Sequence, residues 1–132
     1  MFNTRASLDT NIVLRLILKD IPDQYEQALE LLHRPGVEYN VSDLAITEVV
    51  YVLQSQGKTR TQIIKALWGF LKPMNINANF NLFNQVFPMY LNHPKLSFND
   101  CCLSVYATLN QAEPLWTFDH ALAKSSPTAK LL

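Results

Sequence analysis

The chain has little cysteine, no excess of charge of either sign and no long apolar run, and each shortage narrows what it can be. Its two cysteines, Cys101 and Cys102, are adjacent. Neighbouring helical residues point in different directions and do not readily form a disulfide, so the expected setting is reducing and cytoplasmic. Neither CxxC nor HxxxH spacing occurs among these cysteines and His33, His93 and His120, which argues against a zinc site. Eleven Lys and Arg balance eleven Asp and Glu. No global positive field therefore announces a nucleic-acid partner, and any such attraction has to be local or metal-mediated. The longest apolar run, Ile12 to Leu18, is interrupted by Arg15. It is too short to span a bilayer, and nothing at the start resembles a cleavable signal. No repeat, low-complexity tract or linker divides the chain, so residues 1–132 are expected to form a single domain.

What the chain does have is apolar content, at 48%, against 17% charged residues, a balance that fits a globular domain with a real core. Residues 4–8 read as a short strand and Ile12 to Lys19 as a helix that is apolar nearly all round. A second helix follows in "PDQYEQALELLHRPG", with Pro22 near its start, a face of Tyr25, Leu29 and Leu32, and Gly36 as its stop. "VEYNVS" reads as a strand leading into a helix over residues 43–56. "TRTQIIKALWGFLK" reads as a helix capped by Thr59 or Thr61, "MNINAN" as a short strand, and "FNLFNQVFPMYLN" as a helix kinked or broken at Pro88. "SFNDCCLSVYATLNQ", "PLWTF" and "DHALAK" complete the chain as helix, strand and short helix. Alternating strands and helices imply an α/β sandwich on a mostly parallel sheet.

In such sheets ligands bind outside the carboxyl ends of the strands. Asp9 follows the first predicted strand and Asp119 the last clear one, so parallel strands deliver both to the same edge. Asp100 opens the helix "NDCCLSVYATL". Glu48 lies in "LAITEVVYVL" with Leu44 and Val52 on its face, and is expected to be largely buried. A carboxylate on an apolar face needs a cation or strong donors. Four such groups gathered at one edge would repel one another unless hard divalent cations sat among them. Each also has a plain structural role available. Asp9 and Asp119 fit as helix N-caps, Asp100 fits a capping box with Ser97, and Glu48 fits a buried salt bridge.

"SLDTN", "LAITEVVYVL", "FNDCCLSVYA" and "LWTFDHALAK", in that order, resemble the motifs of the PIN-domain family. Its best-populated branch is the toxin ribonucleases of VapBC-type toxin–antitoxin pairs. The resemblance covers nearly the whole chain, from Ser7 to about Lys124. It implies a three-layer sandwich whose twisted, mostly parallel central sheet is flanked by helices. By position it makes Asp9, Glu48, Asp100 and Asp119 an acidic quartet that binds Mg²⁺ or Mn²⁺. Thr10 and Asn11 complete the "DTN" signature, and Thr117 takes the hydroxyl position of "TFD". Any final strand must come from "AKLL". The activity implied is metal-dependent cleavage of RNA; the partners implied are a small antitoxin and a second copy in a homodimer.

Local basic residues are the candidates for substrate contact: Arg15 and Lys19, one turn apart beside Asp9, and Lys58, Arg60 and Lys65 around a helix start. His120 reads as an exposed helix-start histidine, and Trp68 and Phe70 as core. Two other readings compete. One is a PIN-like binding module without catalysis, serving only in assembly. The other is a phosphatase or receiver fold, which also uses an aspartate after its first strand. The phosphatase pattern wants a second aspartate two residues on, where this chain has Asn11.

Overall fold

Thr4–Ser7 form the first strand, β1, and the apolar content of that segment begins only after it, at buried Leu8. The computed structural model describes residues 1–132, in two compact units, Met1–Asn79 and Phe80–Leu132. In the first unit β1 pairs in parallel with β2 (Val37–Asn40), and β2 with β3 (Ile76–Asn77). All four β1 residues are exposed, so the strand is held by its ladder rather than by burial. The pairing places Arg5 opposite Glu38, 3.4 Å apart, as a cross-strand ion pair. β2 is entered through Gly36, whose φ of +75° disfavours side chains. A Cβ there would also sit 2.9 Å from Asn3 Oδ1.

Helix α1 (Thr10–Leu18) starts two residues earlier than its apolar pattern indicates, because Asp9 caps it. It buries Val13 and Leu14, and leaves Ile12, Leu16, Ile17 and Leu18 half-buried. α2 (Pro22–Leu32) begins on Pro22 as expected. Its predicted face of Tyr25, Leu29 and Leu32 is only half-buried, and Ala28 makes the deepest contact. In α3 (Asp43–Ser55), Ser42 is the N-cap and the core face is Ala45, Ile46, Val49, Val50 and Leu53. α4 (Arg60–Leu71) is capped by Thr59 in a capping box with Gln62, and buries Ile63, Ile64, Leu67 and Leu71. Trp68, at 39% exposure, and half-buried Phe70 stand outside that core, which corrects their reading as core residues. Helical phase explains it: the buried stripe runs through positions 63, 64, 67 and 71, and Trp68 and Phe70 fall beside it. Leu16, Ile17, Leu32, Ala66 and Phe70 instead line an apolar cleft of about 330 Å³.

The second unit opens with α5 (Phe80–Asn92), which runs unbroken through Pro88. Phe83 and Phe87 of this helix stack 5.3 Å apart. Both pack on Phe98 of α6 (Phe98–Leu109), which Tyr90 also meets edge-on at 5.3 Å. β4 (Leu115–Thr117) and β5 (Ala129–Leu131) pair in parallel, with α7 (His120–Ser125) between them in sequence. The last strand does come from the "AKLL" segment. Behind it the hydroxyls of Ser104, Ser126 and Thr128 bond to one another, so the two buried serines are satisfied without water. Every strand pairing in the molecule is parallel, and the α/β class with helices flanking parallel sheet is what the alternating pattern predicts. No helix is long and apolar enough to cross a membrane.

Candidate active site

In the first unit the sequence runs straight from β1 into the candidate site. Leu8 donates its N–H to Asn40 O, extending the ladder by one bond. Asp9 then turns the chain, and its Oδ1 accepts the Ile12 N–H at 3.0 Å as the N-cap of α1. Thr10, the next residue, donates its hydroxyl to Glu48 Oε2 of α3 at 2.9 Å. One hydrogen bond thus ties two of the predicted carboxylates into the same neighbourhood of this unit. The expectation that Glu48 is buried is overturned: the residue is exposed. Leu44, which shares its face, is 81% exposed, and Tyr51 is 71% exposed. This side of α3 is apolar in composition but faces solvent, and the helix buries the opposite side. Glu48 accordingly has a threonine hydroxyl for a partner and no basic residue.

In the second unit Asp119 repeats the geometry of Asp9. It follows β4, caps α7, and accepts the Leu122 N–H on Oδ1 at 3.1 Å. Its own N–H donates to Thr117 Oγ1 at 2.9 Å, so the predicted supporting threonine fixes the turn that carries it. Asp100 is the third residue of α6 and closes a capping box. Its N–H donates to Ser97 Oγ at 3.0 Å, and its Oδ2 accepts the Ser97 N–H at 3.3 Å.

The capping roles anticipated for Asp9, Asp100 and Asp119 are all present, and they leave something over. Each of the four carboxylates commits one oxygen to the fold and keeps the other without a hydrogen bond: Asp9 Oδ2, Glu48 Oε1, Asp100 Oδ1 and Asp119 Oδ2. None is within ion-pair distance of a lysine, arginine or histidine. Anionic oxygens held by one bond and otherwise open are the donor type that hard divalent ions prefer. Within neither unit do three acidic, histidine or cysteine side chains gather as a metal cluster.

Two further features were not apparent from the sequence. At the carboxyl ends of β1, β2 and β3 a cleft of about 430 Å³ is lined by Ser7, Asn40, Ser42, Asn77 and Asn79 among others. Asn77 Nδ2 donates to Asn40 Oδ1 at 2.9 Å across it. The signal available was the asparagine that ends each of the strand segments "VEYN" and "NIN". The second feature lies between α1 and α2. Asp9 and Asn11 line a polar cleft there together with Arg15, Gln24, Gln27 and Arg34. Arg15 was anticipated at this place. Lys19 was expected beside it, but its ammonium sits over the Tyr25 ring, 5.6 Å from the centroid, and lines the apolar cleft instead.

An α/β chain with parallel strands, and with acidic caps leaving those strands at two points, is the class of molecule on view. The PIN-domain family model matches residues 6–126, and the chain belongs to that family. Among solved structures it is similar to a chain in the crystal structure of VapBC2 from Rickettsia felis bound to a DNA fragment from their promoter. The two are 24% identical, the match covers 97% of each chain, and the TM-score is 0.41. No curated protein matches.

Proposed function

We propose that the protein is a metal-dependent endoribonuclease and the toxin of a toxin–antitoxin pair, in which Asp9, Glu48, Asp100 and Asp119 together hold Mg²⁺ or Mn²⁺ in one catalytic domain. PIN domains are generally nucleases that use divalent metal ions. The observation that carries the reading to these residues is the open oxygen on each of the four carboxylates, with no basic side chain to neutralise it. The family match supports reading both units as one domain, because it runs through both.

A bound divalent ion supplies the charge neutralisation and Lewis acidity that a phosphodiester needs and that this neutral chain lacks. The chain's own residues do the positioning. Capping holds Asp9 and Asp119 at the starts of their helices with one oxygen free of hydrogen bonds. Thr10 restrains Glu48, a long and exposed side chain that would otherwise sample many rotamers. Thr117 fixes the backbone of Asp119. For the protein partner, the apolar cleft of Leu16, Ile17, Leu32, Ala66 and Phe70 is a suitable seat for a small antitoxin. Self-association as a homodimer belongs to the same proposal.

The test is cleavage of single-stranded RNA by partner-free protein, with and without Mn²⁺ or Mg²⁺, for wild type and Asp9→Asn. Asparagine is nearly isosteric and caps helices as well as aspartate, so the variant should keep its melting temperature. Cleavage should be metal-dependent in the wild type and lower by about two orders of magnitude or more in the variant, because a charged ligand is gone. A wild type that cleaves nothing in either metal would leave a catalytically inactive PIN-like binding module as the better reading.

A further inference from the structure

The cleft between α1 and α2 has a composition that the proposed metal site does not use. Its floor is apolar, made by Ile12, Ala28 and Leu31. Its rim is polar. Gln24 and Gln27 lie three residues apart on α2, Arg34 follows just past its C-terminal end, and Asn11 and Arg15 face them from α1. The volume of this open cleft, about 440 Å³, lies in the range of small-ligand sites.

Two observations point to an anion. Arg15 is largely buried, its side chain 16% exposed, and its Nε–H has no hydrogen-bond acceptor. Asp20 Oδ1 stands 3.5 Å from that nitrogen, close enough for an ion pair but outside hydrogen-bonding geometry. That nitrogen is itself screened from solvent, so a ligand would meet the outer Nη groups of the guanidinium, which make no hydrogen bond within the chain, where Arg15 lines the cleft. Arg34, on the opposite wall, makes no ion pair within the chain. Paired guanidinium groups are suited to phosphate, which offers several oxygens to their fixed forks.

We propose that this cleft binds a backbone phosphate of single-stranded RNA next to the scissile one. Arg15 and Arg34 hold the phosphate, while Asn11, Gln24 and Gln27 offer hydrogen bonds to the adjoining ribose or base. The inference rests on the ribonuclease reading, because Asp9 sits at the end of the same cleft and fixes where the scissile phosphate lies. Arg15 is six residues beyond Asp9 on α1, about 9 Å along the axis. That separation suits a neighbouring phosphate on the same strand. The side-chain amides favour RNA over an acidic peptide, since they match the donors and acceptors of unpaired base edges and of the 2′-hydroxyl.

The experiment compares wild type with Arg15→Gln, Arg34→Gln and the double variant; Lys130→Gln, at an exposed site in the other unit, controls for loss of charge alone. Binding of a fluorescein-labelled, mixed-sequence single-stranded RNA oligonucleotide is measured by anisotropy in EDTA over a series of KCl concentrations. Cleavage of the same oligonucleotide is then followed in Mn²⁺. The double variant should bind about ten- to a hundredfold more weakly, the loss expected for charge-assisted bonds. Its salt dependence should flatten by about 0.7 in log–log slope, the value for one single-strand phosphate contact. In cleavage, KM should rise while kcat holds.

Arg34→Gln changes an exposed side chain and should fold normally, so a folding failure of the Arg15 variants leaves the test intact. Unchanged binding, slope and KM in an active enzyme would overturn the subsite and leave the ribonuclease reading standing. A wild type that cleaves nothing in Mn²⁺ but loses RNA binding in the double variant would overturn the ribonuclease reading and keep the phosphate cleft. Normal RNA binding with weakened binding of an acidic peptide would overturn the proposal in favour of a protein ligand.

Discussion

Thr10 shows how a single hydroxyl can connect two parts of the candidate site. It follows the capping residue Asp9 directly and reaches Glu48, thirty-eight positions away, through one 2.9 Å bond. Thr10→Val removes that bond while keeping the side-chain shape. Because the pair is exposed, the stability change should stay within about 1 kcal/mol. Under the proposed function, the Mn²⁺ concentration for half-maximal cleavage should rise several-fold, and Thr10→Ser should restore it. Melting curves and a Mn²⁺ titration of the cleavage rate check the two halves. Glu48→Gln should likewise leave the melting temperature unchanged, since the solvated side has no packing to lose. Asp9, Asp100 and Asp119 were legible in the sequence because their positions follow from local rules, an acidic residue where a strand or loop gives way to a helix. The burial of Glu48 was misjudged because Leu44 and Val52 made its flank look internal. Period alone cannot say which of two apolar sides of α3 faces the core, and the side with alanine, isoleucine and valine won.

Secondary structure was the most readable level. Thr59, Ser97 and Asp119 each stand where a capping rule puts a helix start, and each does cap one. The capping box of α6 also carries Asp100, so its loss has two consequences. Ser97→Ala removes the acceptor for the Asp100 N–H and should destabilise the protein by about 1 kcal/mol in denaturant titration. The same change loosens the turn that holds the Asp100 carboxylate, so under the proposed function metal affinity should fall along with stability. Pro88 was expected to kink or break its helix, yet α5 continues through it. An exposed proline forfeits one backbone bond on the solvent side, while Phe83, Val86, Phe87 and Tyr90 anchor the other side completely. Tertiary packing outweighed the local penalty. Of the cleft of Arg15 and Arg34, only Arg15 beside Asp9 was legible. The cleft exists only because two helices lie side by side, and no spacing along the chain records that.

At the scale of the molecule, the aromatic cluster gathers four large buried side chains in one place. Phe83, Phe87 and Tyr90 are fully buried and share Phe98 as their common neighbour. Phe83→Ala should cost about 3–5 kcal/mol in chemical denaturation, a large share of the stability of a domain this size. The helix beneath that cluster also places Cys101 and Cys102 in the interior, the first with no exposure and the second with 8%. They follow Asp100 immediately. Their chemistry can therefore serve as a clock. A thiol reagent reacts with them only in the moments when the first turns of α6 open, so the rate of modification counts those openings. Under the proposed function, an ion bound through Asp100 makes each opening rarer by one plus the ratio of its concentration to its dissociation constant. At Mn²⁺ about a hundred times its dissociation constant, modification should slow about a hundredfold. The waiting time of two sulfur atoms would then weigh the metal with no RNA in the tube, and a rate indifferent to Mn²⁺ would remove Asp100 from the proposed ligands.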